Sequence, residues 1–208
     1  MKIYDSDIRC LLFSNFKELD EFTKADDTVV INELDICNGV SRADIAVVNG
    51  KLHGYEIKSQ QDNLERLPLQ MESYNLVFDT MTVVAFESHI EKIKHMVPSW
   101  WGIKCVTQRN GQIKLKSIRK GKINKNINIH CLAQLLWKDE MIELLQTYGN
   151  AKKGYKNKSR YELSTIIEKE INYFTVKDYV RETLKSRVEW KAVPLQRLNG
   201  DLHNTRPN

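Results

Sequence analysis

The stretch from Ser41 to Ser59, SRADIAVVNGKLHGYEIKS, leaves the chain few choices. Two runs rich in Val, Ile and Tyr flank Asn49-Gly50, the dipeptide that most readily reverses an extended chain, so the stretch reads as a β-hairpin. Three charged residues stand where apolar ones are expected: Asp44 on the first strand, and Glu56 and Lys58 on the second. Register decides whether they meet. A two-residue Asn49-Gly50 loop sets Asp44 opposite Tyr55, on the far side of the sheet from Glu56. A three-residue loop, Val48-Asn49-Gly50, with Gly50 left-handed in a G1 bulge, places the even-numbered residues of both strands on one face. The other face then collects Ala43, Ile45, Val47, Tyr55 and Ile57, apolar throughout and fit for burial. Hydrophobic pattern and charge agree on the bulged loop.

Two carboxylates a few ångströms apart repel, and burial worsens the repulsion, so such a pair calls for a positive partner. Mg²⁺ or Mn²⁺ fits the chemistry, because either takes oxygen ligands, needs only one or two carboxylates, and fills its other positions with water and phosphate oxygens. Lys58, two residues after Glu56 on the same face, is placed to polarise an attacking water or to stabilise charge on a phosphorane-like transition state.

Asp44 followed by Glu56-Ile57-Lys58 across a hairpin resembles the motif of the PD-(D/E)XK nuclease superfamily, with Arg42-Ala43-Asp44 in place of the Pro-Asp. Gln70 and Tyr74, four apart on the next helix, resemble the Gln-x-x-x-Tyr motif of its RecB-like branch. The run RADIA, EIKS, Asp62, Arg66-Leu67, Gln70, Tyr74, PSWWGI and LLWKDE is similar to a small bacterial and phage family with this fold. The resemblance implies an α/β restriction-endonuclease-like core, a mixed β-sheet flanked by helices, and metal-dependent cleavage of a phosphodiester bond. It implies a metal held by Asp44, Glu56 and the backbone carbonyl of Ile57, with Glu33 as a third acid and Lys58 orienting the water. Asp35 is the less favoured alternative to Glu33, because it begins the Cys37-Asn38-Gly39 turn. Gln70, Tyr74 and Arg42 would line the substrate site.

At 208 residues with 41% apolar content, the chain can hold one nuclease-sized domain and an appendage. Cys10, Cys37, Cys105 and Cys131 are scattered, which points to reduced thiols in a cytoplasmic protein. Some members of the RecB-like branch hold an iron–sulfur cluster on four clustered cysteines. That spacing is absent, so no cluster is expected. The opening MKIYDSDIRCLLF lacks a long apolar run and argues against a signal peptide or membrane span. Residues 1–108 hold 11 Lys/Arg against 17 Asp/Glu, while residues 109–208 hold 21 against 10. The acidic half suits metal ligands, and the basic half supplies what phosphate contacts need.

Boundaries follow from pattern: a nuclease core over 1–120, a basic helical region over 121–193 packed on it, and a tail over 194–208 without periodicity. Asp5 or Ser6 is read as the cap of a first helix running to about Phe22, with Glu18 and Glu21 near its end. Thr28 to Leu34 is a strand. Pro68 opens the helix bearing Gln70 and Tyr74, and TMTVVAF is a central strand that the crossover makes parallel to the second hairpin strand. His89 to Met96 forms a short helix, Trp100 to Ile103 starts an edge strand, and Asn110-Gly111 turns a second hairpin into Ile113 to Ile118. The two tryptophans can stack on bases or seal the sheet's end, with packing favoured. Arg119 to Lys125, including Lys120 and Lys122, is either a solvated linker or a strip contacting phosphates. One helix is expected from Ile129 to Gly149. Ser159 with Glu162 forms a capping box for the next, and Thr175 with Asp178 caps a last one after a break at Phe174-Thr175. That break resembles a helix-turn-helix, but helices packed on the core are favoured.

The expected function is a metal-dependent nuclease, with a DNA endonuclease first. An RNA endonuclease is the same chemistry on another polymer, and a nuclease-fold protein that binds nucleic acid or a protein partner without cutting is the alternative. DNA is the expected partner, no membrane is involved, and a homodimer is left open.

Overall fold

The computed structural model describes residues 2–16, 27–150 and 154–187, and the backbone of 192–194. In chain order these form α1 (Asp5–Asn15), β1 (Val29–Ile36), β2 (Ser41–Val48), β3 (Leu52–Lys58), α2 (Leu67–Asn75), β4 (Thr80–Phe86), α3 (Ile90–Met96), β5 (Gly102–Arg109) and β6 (Gln112–Arg119). There follow α4 (Ile129–Ala133), α5 (Lys138–Tyr148), α6 (Arg160–Glu170), α7 (Tyr173–Ser186) and β7 (Ala192–Pro194). The strands make one mixed sheet in the order β6-β5-β4-β3-β2-β1-β7. β3, β4 and β5 are parallel neighbours and the remaining pairs are antiparallel. The crossover through α2 therefore delivers β4 beside β3 as its apolar run requires. Among the described residues no helix is long and apolar enough to cross a membrane.

Each face of the sheet has its own core. On one, Ile8, Leu12 and Phe16 pack over Val30, Ile45, Val47, Tyr55 and Ile57, so α1 covers the middle strands. The other is covered by α2 to α7, whose Tyr74, Ile93, Leu132, Leu145, Ile167 and Val180 join Val48, Leu52 and Val83 in a single larger cluster. The basic C-terminal helices thus share their core with the sheet. Gly54 on β3 is required by this packing, because a Cβ there would lie 2.4 Å from Met81 Sδ and 2.9 Å from the Phe78 ring.

The hairpin keeps the expected parity but by another loop. Val48 pairs with Leu52 and Ile45 with Tyr55, so the loop is Asn49-Gly50-Lys51. Gly50 is not among the positive-φ glycines, and no G1 bulge forms there. Asn49 closes the turn instead: its N–H donates to Lys51 O and its Oδ1 accepts from Lys51 N, at 3.1 Å each. Ala43 also departs from expectation, joining the helix-covered core with Leu34 and Ile36 rather than the face of Ile45. The alternation breaks in both strands at the unpaired Glu33–Asp44 position, where Glu33 has φ +56, while the β1–β2 register is unchanged on both sides.

Other boundaries move for local reasons. Tyr4, not Asp5 or Ser6, stands at the N-cap of α1, and its N–H donates to Asp7 Oδ2 at 2.9 Å. Glu18 and Glu21 lie outside the described residues, as do 195–208. β5 begins at Gly102 and is internal, leaving β6 as that edge. The Asn110-Gly111 turn is as expected, with φ +51 and +78. The helix expected over 129–149 is two, because Trp137 starts a new one by donating its N–H to Glu140 Oε2 at 2.6 Å. The carbonyls freed at the break are taken from afar: Arg160 Nη2 donates to Gln134 O and Leu136 O, and Arg187 Nη2 to Leu135 O. Ser159 and Glu162 do form a capping box, whereas α7 is capped by Asn172, whose Oδ1 accepts from Thr175 N, so the break falls before Phe174.

The 119–125 segment is tied down rather than solvated along its length. Buried Asn124 donates through Nδ2 to Asn75 O (2.8 Å) and Phe78 O (3.0 Å), and its own N–H reaches Asp79 O at 2.8 Å. Asn124→Ala leaves two carbonyls at the end of α2 without that donor and is expected to lower unfolding free energy by about 2 kcal/mol. A urea midpoint that falls at unchanged slope is the expected readout, and an unmoved midpoint would show that water replaces the amide.

Candidate functional site

The charged residues of the hairpin meet at one place because the β2–β3 ladder stops one residue short of them. The last paired residues are Ile45 and Tyr55, so Asp44 and Glu56 are the next two opposite each other. There the strands part, and Asp44 Oδ2 takes the N–H of Ile57 at 2.6 Å in place of a ladder carbonyl. Glu56 and Lys58, on one face of β3 by the two-residue period, point under the helical layer and are 1% and 8% exposed.

From α2, Gln70 and Tyr74 complete the cluster. Lys58 Nζ lies 2.7 Å from Glu56 Oε1 and 3.2 Å from Gln70 Oε1. The Tyr74 hydroxyl is 2.7 Å from both Glu56 Oε2 and the Arg42 carbonyl, and accepts from Gln70 Nε2 at 3.3 Å. The i, i+4 spacing of Gln70 and Tyr74 is what lets one helix face put Tyr74 on Glu56 Oε2 and Gln70 on the Lys58 ammonium that takes Oε1. Trp101 backs Tyr74, with ring centroids 6.1 Å apart and an interplanar angle of 24°, and is fully buried with its Nε1–H on Asn75 Oδ1. It is a packing residue, while Trp100 is partly buried against the same core.

Burial and the nearby Glu56 charge together push the Asp44 carboxyl up from the ordinary aspartate range to about 7, against the opposing pull of the Ile57 N–H. Burial, helped by the same Glu56 charge, also raises Tyr74, so its hydroxyl stays a proton donor. Two acids of one site are thus held in unlike surroundings: Asp44 beside another carboxylate, Glu56 bridged by an ammonium and a phenol.

Glu33 is brought next to this site but not into it. Its Oε1 takes Arg9 Nη2 at 3.1 Å and its Oε2 takes Arg42 Nε at 2.7 Å. The Arg42 side chain is 60% exposed and sits at the rim. Lys120 and Lys122 lie apart, beside the start of β5 and two strands from β3, where the Lys122 N–H donates to Trp100 O. Asp35 is exposed on β1. Arg9 was not foreseen: its guanidinium joins Asp5, Asn32 Oδ1, Glu33 and, at 2.9 Å, the Asp44 carbonyl. In the sequence it shows only as half of an i, i+4 pair with Asp5. Among the described residues no group of three or more His, Cys, Asp or Glu side chains is placed to hold a metal.

Fold and site together define an α/β protein whose mixed sheet carries a buried ionisable cluster beneath a layer of helices. The family model for Bacteriophage P4 protein cII matches residues 4–202, and the chain belongs to that family. It is similar to Protein cII of Enterobacteria phage P4, with 27% identity over 176 residues, covering 84% of this chain and 66% of the relative. The chain therefore spans just under two thirds of that relative's length. No solved structure matches.

Proposed function

We propose that this protein is a Mg²⁺- or Mn²⁺-dependent nuclease with a restriction-endonuclease-like core, acting first on DNA. The observation that carries the reading is the convergence of Asp44, Glu56 and Lys58 from two strands, with Gln70 and Tyr74 from α2, into one cluster in which Glu56 and Lys58 are buried and Asp44 is half-buried. No packing requirement of the sheet calls for a buried Glu56 and Lys58 beside a half-buried Asp44, where unpaired charge costs several kcal/mol.

The donor set fits a small hard cation in kind and number. Asp44 and Glu56 supply two carboxylates, and Mg²⁺ needs only one or two, with water and substrate phosphate completing it. Bound there, such a cation would supply a more acidic water and charge neutralisation at the phosphoryl group. The protein groups have separate tasks. Lys58 donates to Glu56 and brings a cation within reach of a developing negative charge, Tyr74 holds the second carboxylate in place, Gln70 steadies Lys58, and Arg42 at the rim meets the phosphate backbone. The Ile57 N–H orients Asp44.

Supercoiled plasmid, single-stranded DNA and RNA incubated with Mg²⁺, Mn²⁺ or EDTA test the reading directly. Cation-dependent cutting of DNA that chelator stops is the expected result, and no cutting of any of the three sinks it. A second reading, a silent nuclease-fold binding protein, is favoured by one observation: both oxygens of Glu56 are already engaged, by Lys58 and Tyr74. Binding of DNA that weakens with salt, without cleavage, is the result that selects it.

A further inference from the structure

Asp44 sits at a gap in the sheet. The residues on either side of it pair with β1, Ile45 with Asn32 and Ala43 with Leu34, but Asp44 and Glu33 between them do not. On its other side the ladder to β3 ends at Ile45 and Tyr55. The residue carrying the first carboxylate of the cluster therefore lacks a ladder partner in either neighbouring strand, although a metal ligand has to be held to about half an ångström.

Arg9 spans the gap. It lies in the middle of α1, beside the Ile8 and Leu12 side chains that pack this helix on the sheet. Its Nη1 donates to the Asp44 carbonyl at 2.9 Å and to Asn32 Oδ1 at 3.1 Å. Its Nη2 donates to Glu33 Oε1 at 3.1 Å, and its Nε to Asp5 Oδ1 at 3.2 Å, one turn back on the helix. One planar fork thus joins β1 and β2 across the missing pair. The side chain is only 19% exposed, so the fork is set against the strands and not out toward solvent. Asp44 is held at two points: its carbonyl by Arg9, and its Oδ2 by the Ile57 N–H at 2.6 Å.

We propose that Arg9 is a positioning residue for Asp44, fixing the main chain at the gap so that the carboxylate is aimed at the Ile57 N–H and at the seat of the divalent cation. The cation rests on the nuclease reading; the hold on Asp44 does not. Because Arg9 takes the carbonyl and leaves both carboxylate oxygens alone, it sets the direction of the ligand without competing for it. Partners of this outer kind typically contribute 10- to 100-fold in metal affinity. A lysine would supply the same charge from a single point and could not reach both strands at once, so the fork and not the charge is what the site uses.

The test compares the full chain with Arg9→Lys, Arg9→Met and Ile8→Val, the last loosening the packing of α1 beside the guanidinium without removing any of its bonds. The Ile57 amide signal in a ¹H–¹⁵N spectrum recorded without metal reads the Asp44 bond directly. Both Arg9 variants should move it to higher field and speed its hydrogen exchange about tenfold relative to the other β3 amides, while Ile8→Val leaves it in place. Melting temperature titrated with Mn²⁺ should reach half its rise at a concentration about 10- to 100-fold higher in the Arg9 variants than in the parent. An Ile57 signal unmoved by either Arg9 variant, or moved as far by Ile8→Val, overturns the proposal, and so does a Mn²⁺ midpoint that stays at the parent's value. A parent that cuts nothing and does not respond to Mn²⁺ sinks the nuclease reading instead and takes the cation from this proposal, and the Ile57 signal then decides the hold on Asp44 by itself.

Discussion

Glu56→Ala is expected to lower unfolding free energy by about 3–5 kcal/mol, the cost of leaving one member of a buried ion pair alone. Lys58 is the member left behind, 8% exposed and retaining only the Gln70 amide oxygen at 3.2 Å. The Tyr74 hydroxyl loses its acceptor as well, although the Arg42 carbonyl remains at 2.7 Å. Urea unfolding measures the loss. A companion variant separates charge from shape: Glu56→Leu with Lys58→Met removes both charges and should recover at least half of the stability. A Glu56→Ala penalty under about 1 kcal/mol would mean that water already reaches the pair and that the pocket is not closed. Both variants should also abolish cation-dependent cleavage. Stability restored with activity still absent is the pattern of a site kept for its chemistry.

How far the sequence could be read is clearest at the hairpin. The Asp44, Glu56 and Lys58 constellation was legible because period-two alternation converts spacing into facing, and Gln70 with Tyr74 because helical period does the same. The loop itself was misread, since either three-residue choice gives one parity and only backbone hydrogen bonding by Asn49 selects between them. Long-range partners left no trace. Arg9 reaches the Asp44 carbonyl across 35 positions, and Arg160 and Arg187 cap α4 from helices far along the chain. Those two arginines also show why a charge count overstates a binding surface: part of the basic half is spent on helix carbonyls and on Glu140. The left-handed Glu33 is the remaining surprise. A non-glycine residue at φ +56 costs of order 1 kcal/mol, and such strain is often kept beside functional groups.

Asp44→Asn is expected to make the protein more stable at pH 8 by about 2–4 kcal/mol while removing cleavage. The carboxyl is raised from 3.8 to about 7 in the fold, first by burial and next by Glu56, so the folded protein holds that proton more tightly than the unfolded chain does. Stability that the protonated acid contributes is therefore complete below about pH 4 and lost as pH rises through about 7, for a total near 4 kcal/mol. The amide carries no charge and can still accept the Ile57 N–H, so the variant escapes the loss: its advantage should be absent at pH 4 and full at pH 8. A divalent cation provides the decisive comparison. If Asp44 and Glu56 share such an ion, Mn²⁺ at pH 8 should raise the melting temperature of the parent by mass action and leave that of the variant unmoved. A variant less stable than its parent at pH 8, together with a parent indifferent to Mn²⁺, would make Asp44 a structural cap for a parted ladder and take the metal from the proposed function.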